Sequence, residues 1–306
     1  MTEYLRDKTV LVTGAAGSIG VALVEAILEA GAVAVRAFDS AESDLYELKE
    51  KFRGLPLAPL LGSIRELERL RFAFDGVDIV FHAAALKHVG LGEYNPFEVV
   101  QTNLVGLNNV IRAALEANVE RVIFTSSDKA VNPTNVMGAS KMMGERLITA
   151  ANEIRGLRRT LFSSVRFGNV IGSSGSVVPT FVEQIRKEKR MLLTHPEMTR
   201  YVMSGRQATE LVLEAGSLMR GGEVFVAKMR AVRIADLAKI MAEEFGPGED
   251  VSIVHSGIRP GEKLYEELIS EDELARTLET EHLLVVLPPP ESGAFVKEWQ
   301  PSDYHV

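Results

Sequence analysis

Ser127, Asp128 and Lys129 put a hydroxyl, an acid and an amine side by side. A second amine, Lys141, follows Met137 by four residues, the spacing that brings two side chains to one face of a helix. An acid next to an amine can give and take protons around one reacting carbon, as general acid–base catalysis requires. A neighbouring hydroxyl can relay a proton, although serine alone is a poor base. Out of context an Asp-Lys pair at a strand end reads as an exposed ion pair, so the surrounding elements decide its meaning.

The apolar run Val122-Ile123-Phe124 before the trio reads as a buried strand ending at Thr125. The trio therefore sits at the carboxyl end of a strand, where open α/β sheets bind ligands. Strands are also expected over Thr9 to Thr13, Val33 to Phe38, Leu57 to Leu61 and Val77 to Phe81. Helical spacing fills the gaps: Ile19 to Ala30, Asp44 to Phe52, Glu66 to Phe74, and Pro96 to about Asn118. Repeated β-α units imply a Rossmann-type α/β fold, a doubly wound parallel sheet with helices on both faces. Beyond the trio, helices are predicted over Met142 to Ile154, Phe181 to Lys189, Thr209 to Leu218 and Ile234 to Phe245, the last bounded by Gly246-Pro247. Strands are predicted over Leu161 to Phe167 and Val224 to Val226, and 194–201 reads as turn-rich. The sparser strands of this half suggest a smaller α+β lobe closing over the carboxyl edge of the sheet. The expected division is 1–175 rejoined by 206–228 for the first unit, and 176–205 with 229–306 for the lobe. The proline-rich tail from Pro288 is expected on the surface.

The first strand runs into Gly14-Ala-Ala-Gly17-Ser-Ile-Gly20, and a helix follows. Glycine permits the tight turn at 14, the approach of a pyrophosphate at 17, and close helix–strand packing at 20; the helix start offers N–H groups to phosphate. The second strand ends in Asp39, 19 residues after Gly20. A carboxylate there accepts hydrogen bonds from a ribose and repels a 2′-phosphate, which favours NAD over NADP. Small residues after the fourth strand, Ala83, Ala84 and Ala85, let a flat cofactor lie against backbone.

The 306 residues carry a net charge of −8, which argues against a nucleic-acid partner but leaves room for an anionic small substrate held by a few local cations. There is no cysteine, so disulfides and thiolate chemistry are excluded. The six histidines lack ligand spacing, and no metal is expected. No uncharged apolar run approaches the ~18 residues of a membrane span.

Several stretches together carry a resemblance. Thr13-Gly14-x-x-Gly17-x-x-Gly20 is similar to the cofactor fingerprint of extended short-chain dehydrogenases/reductases. The stretch 127–141, with 84–89, 163–170, 194–201 and Arg259-Pro-Gly-Glu-Lys-Leu-Tyr-Glu-Glu-Leu (259–268), resembles the nucleotide-sugar 4,6-dehydratases of polysaccharide biosynthesis, the CapD-like branch. The resemblance implies conversion of UDP-N-acetylglucosamine to a 4-keto-6-deoxy sugar with bound NAD. The 4-hydroxyl is oxidised, water is lost across C5 and C6, and hydride returns to C6.

The resemblance assigns Asp128 as acid to the 6-hydroxyl and Lys129 as base to C5. Lys129 must then be neutral, which desolvation and a cationic neighbour would favour, and Asp128 must be protonated. Lys141 is assigned to the nicotinamide ribose. Met137 stands where the superfamily usually has tyrosine; a thioether carries no proton, so the C4 base is left open, with Ser127 as a relay. Cofactor contacts are expected from Gly14, Ala16, Gly17, Ser18, Ile19, Gly20, Asp39, Ser40, Ser63, Ile64, Ala83, Ala84, Ala85, Asn103 and Lys141. Ser63 replaces an Asp that contacts adenine in many relatives. Substrate contacts are expected from Lys87, Asn169, Ser176, Arg200, Arg259 and Glu262. Many relatives also carry an amino-terminal membrane domain; here the expectation is a soluble cytoplasmic protein, not inserted in a membrane, that forms a homo-oligomer. Two other readings compete: a nucleotide-sugar 4-epimerase, which needs no acid–base pair at C5, and a non-catalytic NAD(H)-sensing protein.

Overall fold

The computed structural model describes residues 2–246 and 251–289. Pro247 and the tail beyond 289 lie outside the described residues. The apolar runs form the strands expected of them: β1 (Thr9–Thr13), β2 (Ala34–Asp39), β3 (Leu57–Leu61), β4 (Ile79–His82), β5 (Arg121–Thr125) and β6 (Leu161–Arg166). Shorter strands follow: β7 (Asn169–Val170), β8 (Arg190–Leu193), β9 (Thr199–Met203), β10 (Val224–Ala227), β11 (Arg230–Arg233), β12 (Ser252–His255), β13 (Thr277–Glu279) and β14 (Leu283–Val286). The large sheet has the order β13-β14-β10-β6-β5-β4-β1-β2-β3. From β10 to β3 all pairings are parallel, and the order reverses at β1, as in a doubly wound dinucleotide fold.

The helices are α1 (Ser18–Glu29), α2 (Glu42–Lys51), α3 (Leu67–Phe74), α4 (Val89–Tyr94), α5 (Pro96–Val99), α6 (Leu107–Ala117), α7 (Val136–Ile154), α8 (Val177–Glu188), α9 (Gly205–Leu218), α10 (Ile234–Phe245) and α11 (Glu271–Leu274). Alternation along the strands feeds two cores. Val10 and Val12 pack with Leu23 and Ile27 of α1 and Val212 of α9. Leu11, between them, packs with Phe74 of α3 and Ile111 of α6 on the other face. Burial on both faces is why the strands read as continuous apolar runs. A separate core of Phe181, Ile185, Met191, Leu193, Met198, Ile234, Ala238 and Met241 holds the smaller lobe.

Several elements differ from the sequence reading, and helices α8 and α9 each begin four residues earlier than expected, at Val177 and Gly205. Helix α7 begins at Val136, six residues before Met142, because Asn135 caps it: its Oδ1 accepts from the Gly138 amide at 2.7 Å. The expected helix from Pro96 to Asn118 is interrupted by a π-wound stretch, Val100–Gly106, which is invisible to a 3.6-residue period. Within the turn-rich 194–201 segment, Thr199 starts β9, which pairs with β11 and β7. In addition, β13 and β14 extend the large sheet from within 229–306, the stretch read as part of the lobe.

One ion cluster fastens the lower part of the chain to this sheet. Arg166 at the end of β6 is 2% exposed and donates to Glu145 of α7 (2.6 Å), Glu273 of α11 (2.9 Å) and the Leu268 carbonyl (2.8 Å). Breaking a buried pair by removing one partner leaves uncompensated charge, here two carboxylates. Replacing Arg166 by Met should therefore lower unfolding stability by about 3–5 kcal/mol, read as the shift of the urea midpoint.

Candidate active site

The carboxyl ends of β1, β2, β4 and β5 open into a cleft of about 1020 Å³. Its first wall is the glycine loop. Gly14 has φ +68°, and a Cβ there would lie 2.6 Å from the Ala84 amide nitrogen, so two backbones touch between the loop and the exit of β4. A Cβ on Gly20 would overlap the Gly14 carbonyl. A Cβ on Gly17 would meet nothing nearer than 3.4 Å. Packing therefore demands glycine at 14 and 20 but not at 17, where the backbone faces open cleft. That is the cradle a pyrophosphate would fill at the start of α1.

Ala16, Ser18, Ile19, Ser40, Ser63, Ile64, Ala83 and Ala85 line the same cleft. Asp39 lines it too, with both oxygens already engaged: Oδ2 accepts from the Ala16 amide and Oδ1 from the Ala41 amide, each at 3.0 Å. The carboxylate thus shapes the glycine loop and keeps spare lone pairs for hydroxyls. Asn103 is placed elsewhere. It is buried, and it clamps the Leu86 backbone through Oδ1 to the amide (2.8 Å) and Nδ2 to the carbonyl (3.0 Å). It is not among the cleft's lining side chains; it fixes the loop that carries Lys87.

The second wall is built by β5 and α7. A Cβ on Gly138 would overlap the Lys129 carbonyl, so the helix start lies directly on the 127–130 loop. Ser127, Lys129, Met137 and Lys141 reach the cleft together. Asp128 is fully buried behind them; its Oδ1 accepts from Ser127 Oγ at 2.8 Å and from Lys129 Nζ at 3.0 Å. Lys129 also donates to Asn169 Oδ1 at 3.2 Å and lies 3.6 Å from Glu266 Oε1. Where the sequence reading expects a cationic neighbour, Lys129 therefore meets two carboxylates. Met137 is 4% exposed, packed into the helix start, with Lys141 one turn on.

Lys141 donates to the Thr125 carbonyl at 2.7 Å and sits 4.6 Å over the Phe124 ring. Burial lowers its pKa to about 8, against an opposing pull from Glu145. Below it, His82 shares a 2.6 Å hydrogen bond with Thr13 Oγ1 and stacks on Phe124. Burial, reinforced by Lys141, lowers the His82 pKa to about 3, so the ring is neutral.

Lys87, Asn169 and Ser176 line the cleft on the lobe side. The Ser174 amide donates to Ser18 Oγ at 3.2 Å, and Lys87 Nζ donates to the Ser174 carbonyl at 2.7 Å, so the 172–176 loop bridges the cleft mouth. Arg200, Arg259 and Glu262 do not line it. Arg200 donates to the carbonyls of Thr199 (2.7 Å) and Leu264 (3.3 Å). Arg259 is exposed, and Glu262 accepts from its amide at 3.2 Å, closing a turn. That turn abuts the start of α7, where Asn135 Nδ2 donates to the Gly261 carbonyl at 2.8 Å. Sequence reasoning passed over Arg65 and His88, which line the cleft, and Glu266, which lies behind Lys129. Glu266 stands in the 259–268 stretch, but nothing in its spacing tells which of three glutamates turns inward.

The sheet order, the glycine loop and the Lys141 helix define an extended short-chain dehydrogenase/reductase. Within that class the chain belongs to the family described as polysaccharide biosynthesis protein, which matches residues 10–288. It is 48% identical over 293 residues to "Uncharacterized membrane protein MJ1061" of Methanocaldococcus jannaschii, covering 94% of this chain and 88% of that one. It is 39% identical over 285 residues to the UDP-N-acetylglucosamine 4,6-dehydratase (inverting) of Campylobacter jejuni, covering 92% and 83%. The X-ray structure of Pen from Bacillus thuringiensis superposes with a TM-score of 0.92 at 42% identity, covering 94% and 90%. Other curated relatives are longer: the chain spans 47% of the capsular polysaccharide biosynthesis protein CapD of Staphylococcus aureus. No helix among the described residues is long and apolar enough to cross a membrane.

Two expectations follow from this geometry. Gly20→Ala should cost stability, by the 1–3 kcal/mol typical of overpacking, whereas Gly17→Ala should leave the urea midpoint unchanged. His82 gives a pH signature. Between pH 6.5 and about 3 the unfolded chain binds a proton that the buried ring refuses, so stability falls as pH falls through that window. From pH 7 to 5 the loss attributable to this ring should be about 2 kcal/mol, and His82→Asn should remove that part of the slope.

Proposed function

We propose that this chain is a UDP-N-acetylglucosamine 4,6-dehydratase that works with bound NAD and yields a UDP-4-keto-6-deoxy sugar for glycan assembly. The observation that carries the reading is the Asp128–Lys129 hydrogen bond at 3.0 Å, beside Ser127, Met137 and Lys141 at the cleft. A 4-epimerase would need no such pair, because it never breaks the C5–H bond. Similarity to the Campylobacter jejuni dehydratase along 92% of the chain is matched by 38% identity to a UDP-glucose 4-epimerase of Rickettsia canadensis along 88% of it, so the acid–base pair, not the similarity, makes the choice.

The cradle at Gly17, the Asp39 carboxylate and the alanines after β4 fit NAD, with Lys141 at the nicotinamide ribose. NAD seated there would supply the hydride acceptor for C4 and the hydride donor for C6. The side chains supply the proton chemistry. Met137 carries no proton, but Ser127 Oγ donates to Asp128 Oδ1 at 2.8 Å, so the 4-hydroxyl proton has a route through the serine to the carboxylate. Asp128, loaded in this way, is the acid that releases the 6-hydroxyl as water. Lys129 takes the C5 proton, which the C4 ketone has made acidic, exchanges it with solvent, and protonates C5 as C6 is reduced. Asn169 and Ser176 flank the sugar, and Lys87 meets the pyrophosphate. Arg200, Arg259 and Glu262 are assigned to the uridine end, beyond the cleft lining, where the Arg259–Glu262 turn lies next to the α7 start. The exposed side chains Leu91, Tyr94 and Phe97 on neighbouring helices support a homo-oligomer, and the absence of cysteine is in keeping with a cytoplasmic site of action.

The reading is tested by incubating UDP-N-acetylglucosamine with the protein and NAD in deuterated water. The expected product has lost one water and gained one carbon-bound deuterium. Asp128→Asn and Lys129→Ala should each slow its formation by ~10²–10⁴-fold. UDP-N-acetylgalactosamine at unchanged mass would instead establish the epimerase.

A further inference from the structure

Lys129 is the base at C5 in this reading, yet its surroundings hold it as a donor: Asp128 and Asn169 both accept from it. A lysine that is to take a proton must first lose one. Passing it to Asp128 would fill the carboxylate that has to receive the 4-hydroxyl proton. The tyrosine that would otherwise take that proton is absent, since Met137 stands in its place.

A second carboxylate lies within reach. Glu266 is 7% exposed, and its Oε1 is 3.6 Å from Lys129 Nζ. Its Oε2 is buried with no hydrogen-bond partner among the described residues. The other cations nearby are committed elsewhere. Lys263 donates to the Val131 carbonyl at 2.8 Å and pairs with Glu267, while Arg200 donates to the carbonyls of Thr199 and Leu264. The segment is held firmly around Glu266: the Thr199 amide donates to the Leu264 carbonyl at 3.1 Å, and Arg166 to that of Leu268 at 2.8 Å.

We propose, on the dehydratase reading above, that Glu266 is a positioning residue that takes the proton of Lys129, leaving the amine free to act at C5 and Asp128 free to receive the C4-hydroxyl proton. Asp128, Lys129 and Glu266 then share one proton and a net charge of −1, whichever of the last two carries it. The cycle balances. The 4-hydroxyl proton passes through Ser127 to Asp128 and leaves with the 6-hydroxyl as water. The C5 proton moves to Lys129, exchanges there with solvent, and one solvent-derived proton is delivered from Lys129 to C5. Glu266 keeps the shared proton throughout, and the starting state is restored.

The test is a single turnover of the full chain with NAD and UDP-N-acetylglucosamine in deuterated water. Absorbance at 340 nm reports C4 oxidation, mass spectrometry reports loss of water, and a melting curve reports the fold. Glu266→Gln should fold as the parent does, accumulate the 340 nm signal, and lose water ~10²-fold or more slowly. Glu266→Asp should recover at least tenfold of that loss. Water loss within threefold of the parent in Glu266→Gln would overturn the proposal. So would equal loss of both signals, or a fall in melting temperature that Glu266→Asp shares without recovering rate. Failure of the dehydratase reading is a separate outcome, seen in the parent protein: oxidation at 340 nm with no water loss.

Discussion

A single guanidinium, buried where β6 leaves the sheet, holds the two halves of this chain in register. Arg166 binds one carboxylate from α7, which carries Met137 and Lys141, and one from α11, which follows the Glu266 segment. Its charge is tolerated inside the protein only because both carboxylates and a carbonyl surround it. The same three contacts set the distance between the helix that forms one cleft wall and the segment that closes the cleft from behind. The placement of Lys129 between Asp128 and Glu266 depends on that spacing.

The central sheet was legible because its strands are buried on both faces. Val10-Leu11-Val12 and Val122-Ile123-Phe124 are apolar without interruption, and the glycine loop opens at Gly14 just past the first. The smaller lobe was harder to read. Strands such as β7 and β11 have two and four residues and mixed exposure, so neither length nor alternation marks them. The π-wound stretch before α6 keeps the composition of a helix and changes only its winding. Its consequence is local but informative: Asn103 turns to the Leu86 backbone rather than toward the cleft.

The site divides in the same way. Residues fixed by backbone geometry were legible, because glycine at 14 and 20 and a carboxylate at 39 are demanded by the turn itself. Residues brought in from distant segments were not. Glu266 lies 137 positions from Lys129, and the sequence offers three glutamates in its motif with no means of choosing among them. The charge around Lys129 shows the same limit. Composition names the acid and amine, but only the fold reveals that a second carboxylate, not a cation, stands opposite.

The bridge made by the 172–176 loop bears on time rather than on chemistry. Ser174 is bound on one side to Ser18 at the start of α1 and on the other to Lys87 past β4. Both points line the cleft, so a loop tied to each of them covers the glycine loop until two surface hydrogen bonds open. A molecule seated on the glycine loop beneath the bridge acquires a long residence, and a reaction that returns its electrons to the place they came from loses nothing by that slowness.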